Sequence, residues 1–106
     1  MQRMLREADL ATVYYELKRF GVRYITSDSV RITAALSLLH FLGLCDIPIS
    51  LLAAVLSERP ESLRQKLHAL GDKGVVKLNY EVSDSVRFLY RLNEKLQEKL
   101  ERLWLD

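Results

Sequence analysis

Few side chains in this sequence are spaced for covalent chemistry. His40 and His68 lie far apart, with no Cys or acid at metal-ligand spacing around them. Cys45 is the single cysteine and stands beside Asp46, whose charge opposes thiolate formation, so a small buried thiol is expected before a redox sensor. Gly71 and Gly74 belong to a helix end and make no phosphate loop. There is no local Ser–His–acid or Cys–His set and no paired carboxylates in an apolar setting. The expectation is no catalysis, no metal and no cofactor.

What remains is hydrogen-bonding chemistry. The run "PESLRQKLHALGDK" carries Ser62, Arg64, Gln65, Lys66 and His68 between the apolar positions Leu63, Leu67 and Leu70. Gln is shaped to pair with adenine, Arg with guanine, and Ser with several donors or acceptors, while Lys suits phosphate. A solvated helix face has the same composition. Glu61 and Glu58 weigh toward that plainer reading, because a carboxylate near a helix N-terminus occupies the place a phosphate would take.

These residues need elements to position them. At 106 residues the chain is one domain, 49% hydrophobic and 28% charged, with a net charge of +2 that permits a polyanion partner without requiring one. Residues 58–77 hold five Lys or Arg against three acids, whereas 32–57 hold Asp46 as their only formal charge. The apolar middle is therefore core. It is too short to span a bilayer, and no apolar leader follows Met1, so a cytoplasmic protein with no membrane partner is expected.

Helical spacing of Leu10, Val13, Tyr14, Leu17 and Phe20 predicts a first helix stopped by Gly21. "VRYIT" is a short strand or a connector, and "TSDS" offers several caps for a second helix ending at Gly43. Pro48 keeps "CDIPIS" extended, and Ser50 is a candidate cap for a third helix, "LLAAVLSE". Pro60 opens the fourth, which Gly74 closes. "VVKLNYEV" and "VRFLYRL" are β-prone runs around "SDS", a hairpin tip. A last helix carries Leu96, Leu100, Leu103 and Trp104 along one side.

Two short helices tightly joined and followed by a hairpin are the winged helix–turn–helix order, in which the second helix enters a major groove. The stretches "LGDKGVVKL" (70–78) and "DSVRFLYRLNEK" (84–95) resemble the helix end and wing of MarR/PadR-type transcription regulators. Asn93 stands where those proteins commonly have Thr, and Leu96 where Gly is common. The resemblance implies an α+β, mainly α fold: an N-terminal helix and connector over 1–28, a winged core over 29–92 and a C-terminal dimerisation helix over 93–106. It implies double-stranded DNA binding as a homodimer, sequence-specific or architectural, probing bases with Ser62, Arg64 and Gln65, with His68 at the edge of the DNA face, and holding phosphates with Lys66, Lys77 and Arg87. Its dimer platform would use Leu10, Val13, Tyr14 and Leu17 with Leu96, Leu100, Leu103 and Trp104; intramolecular packing of first helix on last is the alternative. Tyr14, Tyr15, Phe20 and Tyr24 are candidates for an aromatic effector pocket, though aromatics at helical spacing are more often core. A winged-helix module that binds protein rather than DNA is the competing reading.

Overall fold

The computed structural model describes residues 6–82 and 86–105; the tip residues Ser83, Asp84 and Ser85 lie outside it, as do the side chains of residues 81–82 and 86–87. Five α-helices and a three-stranded antiparallel sheet follow one another as α1 (Glu7–Phe20), α2 (Ser27–Phe41), β1 (Ile47–Pro48), α3 (Ile49–Leu56), α4 (Pro60–Asp72), β2 (Val76–Val82), β3 (Val86–Leu92) and α5 (Glu94–Leu100). A 3-10 turn over Glu101–Trp104 completes the chain.

α2 is the central post. Residues 32–39 are all buried, leaving no polar stripe, which is why this segment is apolar all round. Thr26 caps it by accepting a hydrogen bond from the Ser29 amide at 3.0 Å. Around it pack α1, α3, α4, β3 and the closing turn. Leu63, Leu67 and Leu70 carry α4 into the same core, and Tyr90 and Leu92 carry β3.

The helix ends follow their sequence signals except at the start of α3 and at the end of α5, which stops at Leu100 so that Leu103 and Trp104 of the expected last helix lie in the 3-10 turn. α1 stops at Gly21, whose φ of 109° is the left-handed cap that glycine supplies without strain. α3 begins at Ile49, directly after Pro48, with no side-chain cap, so Ser50 lies inside the helix rather than before it. Pro48 does the positioning: its fixed φ of −65° and ψ of 146° turn the extended chain straight into the helix. "VRYIT" is a connector, tied by the Val22 amide to the Leu17 carbonyl at 3.1 Å.

The sheet order is β1-β3-β2. β2 and β3 pair without a bulge from Val76↔Leu92 to Val82↔Val86, and β1 adds Ile47↔Tyr90 and Pro48↔Leu89. Asn93 closes the hairpin base. Its amide donates to the Val75 carbonyl at 2.8 Å, its Nδ2 to the Gly74 carbonyl at 3.2 Å, and its Oδ1 accepts from the Lys95 amide at 2.9 Å to cap α5.

Candidate nucleic-acid interface

α3 and α4 are joined by a three-residue turn, and β2 returns along the flank of α4. Ser57 ends α3 in the left-handed region at φ 55°, turning the chain so that Pro60 opens α4 at its first turn. Arg31 of α2 braces this corner by donating to the Leu56 carbonyl at 3.4 Å. Leu63, Leu67 and Leu70 face inward, leaving Glu61, Ser62, Arg64, Gln65, His68 and Ala69 exposed.

A helix turns about 100° per residue, so Arg64, Gln65 and Lys66 cannot share one face. Gln65 points outward. Lys66 lies on the flank toward α2, where its Nζ is 3.1 Å from Asp28 Oδ2 and also bonds Glu58 Oε1. Those two hydrogen bonds, Glu58 first and Asp28 second, raise its pKa above the ordinary lysine range. Arg64 lies on the opposite flank, its guanidinium 5.8 Å from the centre of the Phe88 ring. Beneath it Tyr90 is buried, and burial raises its phenol pKa although the Arg64 charge opposes the shift. His68 approaches Asp72 one turn on at 3.9 Å.

The wing presents two unlike faces. Lys77 and Asn79 lie on one, where Asp46 accepts from Asn79 Nδ2 at 3.3 Å and pairs with Arg91 at 3.2 Å. The other turns toward α4 and is apolar, with Leu78 52% exposed, Tyr80 67% and Phe88 40%. Between that face and α4 runs a groove of about 390 Å³, walled by Arg64, Leu67, Val76, Leu78, Phe88 and Tyr90. Arg87 stands in β3 opposite Glu81 in the register, and its side chain is outside the described residues.

The residues of the expected dimer platform divide. Val13, Leu17, Leu96 and Leu100 are closed within the single chain, where α1 packs on α5 and α2. Leu10, Leu103 and Trp104 are half-buried and Tyr14 is exposed. Trp104 Nε1 donates to Ser37 Oγ at 2.9 Å, anchoring the closing turn to α2. Tyr14, Tyr15 and Tyr24 are exposed, so they do not wall an enclosed aromatic pocket with Phe20. Cys45 is exposed, contrary to the expectation of a buried thiol, because it follows the left-handed Gly43 in a surface turn.

Sequence missed the Asp28–Lys66–Glu58 cluster and the exposed apolar side of the wing. The first joins residues distant along the chain and had no local signal. The second was visible as alternation of Leu78 and Tyr80, which a strand places on one side. Among the described residues no group of His, Cys, Asp and Glu could hold a metal, and no helix is long and apolar enough to cross a membrane.

No protein-family model and no curated protein matches the chain. Its fold does match solved structures. The structure of a transcriptional regulator homologue protein from Pyrococcus horikoshii OT3 aligns over 85% of this chain and 87% of its own, with a TM-score of 0.58 and 20% identity. A MarR-family transcriptional regulator from Silicibacter pomeroyi aligns over 98% of this chain and 64% of its own, with a TM-score of 0.50 and 20% identity. The architecture is thus a winged helix–turn–helix, an α+β fold shared with these regulators, one of them of the MarR family.

Proposed function

We propose that the protein binds double-stranded DNA through α4 and the wing, as a homodimer, and regulates transcription by occluding promoter DNA. The observation that carries this reading is α4 itself. It is the second helix of a tight pair, flanked by a β-hairpin, with Ser62, Gln65 and His68 exposed along it. That is the arrangement in which a helix enters a major groove, and both fold neighbours are described as transcriptional regulators. Ser62, Gln65 and His68 read bases, with Arg64 swinging from Phe88 to join them. Lys77 and Arg87 of the wing hold phosphates, and Lys66 orients α4 through its two carboxylates. The dimer seam uses the side chains left accessible at the chain ends: Leu10, Tyr14, Leu103 and Trp104. No catalytic step or cofactor is part of this reading, and a cytoplasmic location suits a promoter-binding protein.

The test is fluorescence anisotropy of labelled duplex DNA at two salt concentrations, followed by selection of preferred sequences. Binding should weaken steeply with salt as phosphate counterions are displaced. Gln65→Ala should cost about 1–3 kcal/mol on the preferred sequence and little on random DNA. Absence of binding at low salt would overturn the reading.

One observation favours a second reading, a winged-helix module that binds protein. The side of the wing facing α4 exposes Leu78, Tyr80 and Phe88, and phosphates have no use for such a surface. A protein that ignores DNA but binds a partner through these residues would establish it.

A further inference from the structure

β2 is the outer strand of the sheet, and among the described residues its main neighbours are β3 on one side and α4 across its face. An edge strand offers a row of unpaired amides and carbonyls, and proteins usually guard it with proline, a bulge or a very short strand. β2 has none of these, and the charges that can also guard an edge, Lys77 and Glu81, are here of opposite sign and symmetric about Asn79. It runs seven residues, Val76–Val82, in unbroken register, with no proline. It also exposes Leu78 and Tyr80 beside Phe88.

The sequence of this edge, VKLNYEV, is nearly symmetric in character about Asn79. Antiparallel pairing of β2 with a second β2, centred on Asn79, sets Val76 opposite Val82, Lys77 opposite Glu81 and Leu78 opposite Tyr80. Each position meets its complement twice, once on either side of a two-fold axis. Centring instead on Leu78 or Tyr80 sets Asn79 against one of the charged residues, and a slip of one residue puts apolar positions opposite polar ones.

We propose that β2 is a self-association edge, and that its partner is the β2 of a second copy of this chain in the Asn79-centred antiparallel register. The two sheets then join as one of six strands. Across the seam, Phe88 and Tyr80 of one copy line up with the second copy's Leu78 and Tyr90, because Tyr80 pairs with Phe88 and Leu78 with Tyr90 within each sheet. Two rows of this kind join the apolar sides of the two wings into one continuous face, and cross-strand aromatic–aliphatic and opposite-charge pairs favour this register. The surface lies apart from the terminal-helix seam, so both protein contacts can operate on one protomer, while Lys77 serves either the second copy's Glu81 or a phosphate and not both at once.

The experiment is done without DNA, so its failure leaves the DNA-binding reading untouched. In a Cys45→Ser background, Asn79→Cys and Lys77→Cys are each exposed to a mild oxidant. Position 79 meets its own twin at a Cα separation of about 5 Å, within disulfide reach. Position 77 lies roughly 13 Å along the strand from its twin. Asn79→Cys should therefore cross-link rapidly and Lys77→Cys should not. In parallel, sedimentation of the wild type, Lys77→Glu and the double exchange Lys77→Glu/Glu81→Lys is followed over a concentration series. Lys77→Glu sets like charges opposite each other twice and should weaken association on the order of tenfold, with the double exchange restoring it. Thermal melting of each variant shows that it remains folded. Equal cross-linking at both positions, a wild type that stays monomeric, or association indifferent to Lys77→Glu would each overturn the proposal.

Discussion

On α4, Lys66 reaches the carboxylates of Asp28 and Glu58 while Arg64 leans across Phe88, and the two therefore answer differently to mutation. A lysine holding two acids across α2 and the α3–α4 turn sets the angle of α4 on the core. Lys66→Met should lower the thermal midpoint and leave the slope of log Kd against log salt for DNA unchanged. Asp28→Asn combined with Glu58→Gln should steepen that slope by about 0.9, because the freed ammonium can then displace a counterion. Calorimetry and anisotropy on the same samples separate these outcomes. The cluster also gives the protein an alkaline limit. Lys66 and Tyr90 both have raised pKa values, so the folded state holds their protons more tightly than the unfolded chain does. Their contribution is present in full below the ordinary lysine and tyrosine pKa values and is lost as pH rises through the folded ones. Urea midpoints should thus fall from about pH 9.5 upward, and Lys66→Met should blunt the fall. None of this was legible beforehand. The sequence offers Ser62, Arg64, Gln65 and Lys66 as one polar run, and only the partners across the fold tell the clamp from the outward-facing glutamine.

Elements were far more legible than side-chain roles, because periodicity and capping are local. Leu63, Leu67 and Leu70 mark α4 by spacing alone, and the hairpin follows from two β-prone runs of matched length. The short strand β1 shows in the sequence only as extended chain. Its status as a strand depends on Ile47 meeting Tyr90, a pairing between residues far apart that no local pattern encodes. The start of α3 departs from the local signal for the reverse reason, since Ser50 has the chemistry of a cap but Pro48 already sets the backbone. The turn between α3 and α4 carries its own prediction. Ser57 is the one described non-glycine residue with positive φ. Ser57→Gly should raise stability by about 0.5–1 kcal/mol in urea unfolding, since glycine reaches the left-handed region without the Cβ penalty.

For the whole molecule, the terminal helices matter most. Their apolar stripes announced buried faces, but a stripe does not say whether its cover is the same chain or another. In the fold, Val13 and Leu17 meet Leu96 and Leu100 inside the core of a single chain. Leu100→Ala should therefore cost about 2–5 kcal/mol of folding stability, as a cavity does, by an amount independent of protein concentration. Denaturation at two concentrations checks this, because loss from a subunit seam alone would vary with dilution.

Asn93 ties the foot of the hairpin to Val75, Gly74 and the start of α5 without help from anything further out along the strands. The wing is therefore fastened at its root and braced by β1 and Asp46 as far out as Leu89 and Asn79. Its outer pairs can be lengthened, shortened or exchanged two residues at a time while the register at the root and the helical body stay as they are. A lineage could thus revise what its wing touches at little risk to folding, with variation tolerated along the outer arms of the hairpin and resisted at Asn93 and at the buried Val76, Tyr90 and Leu92.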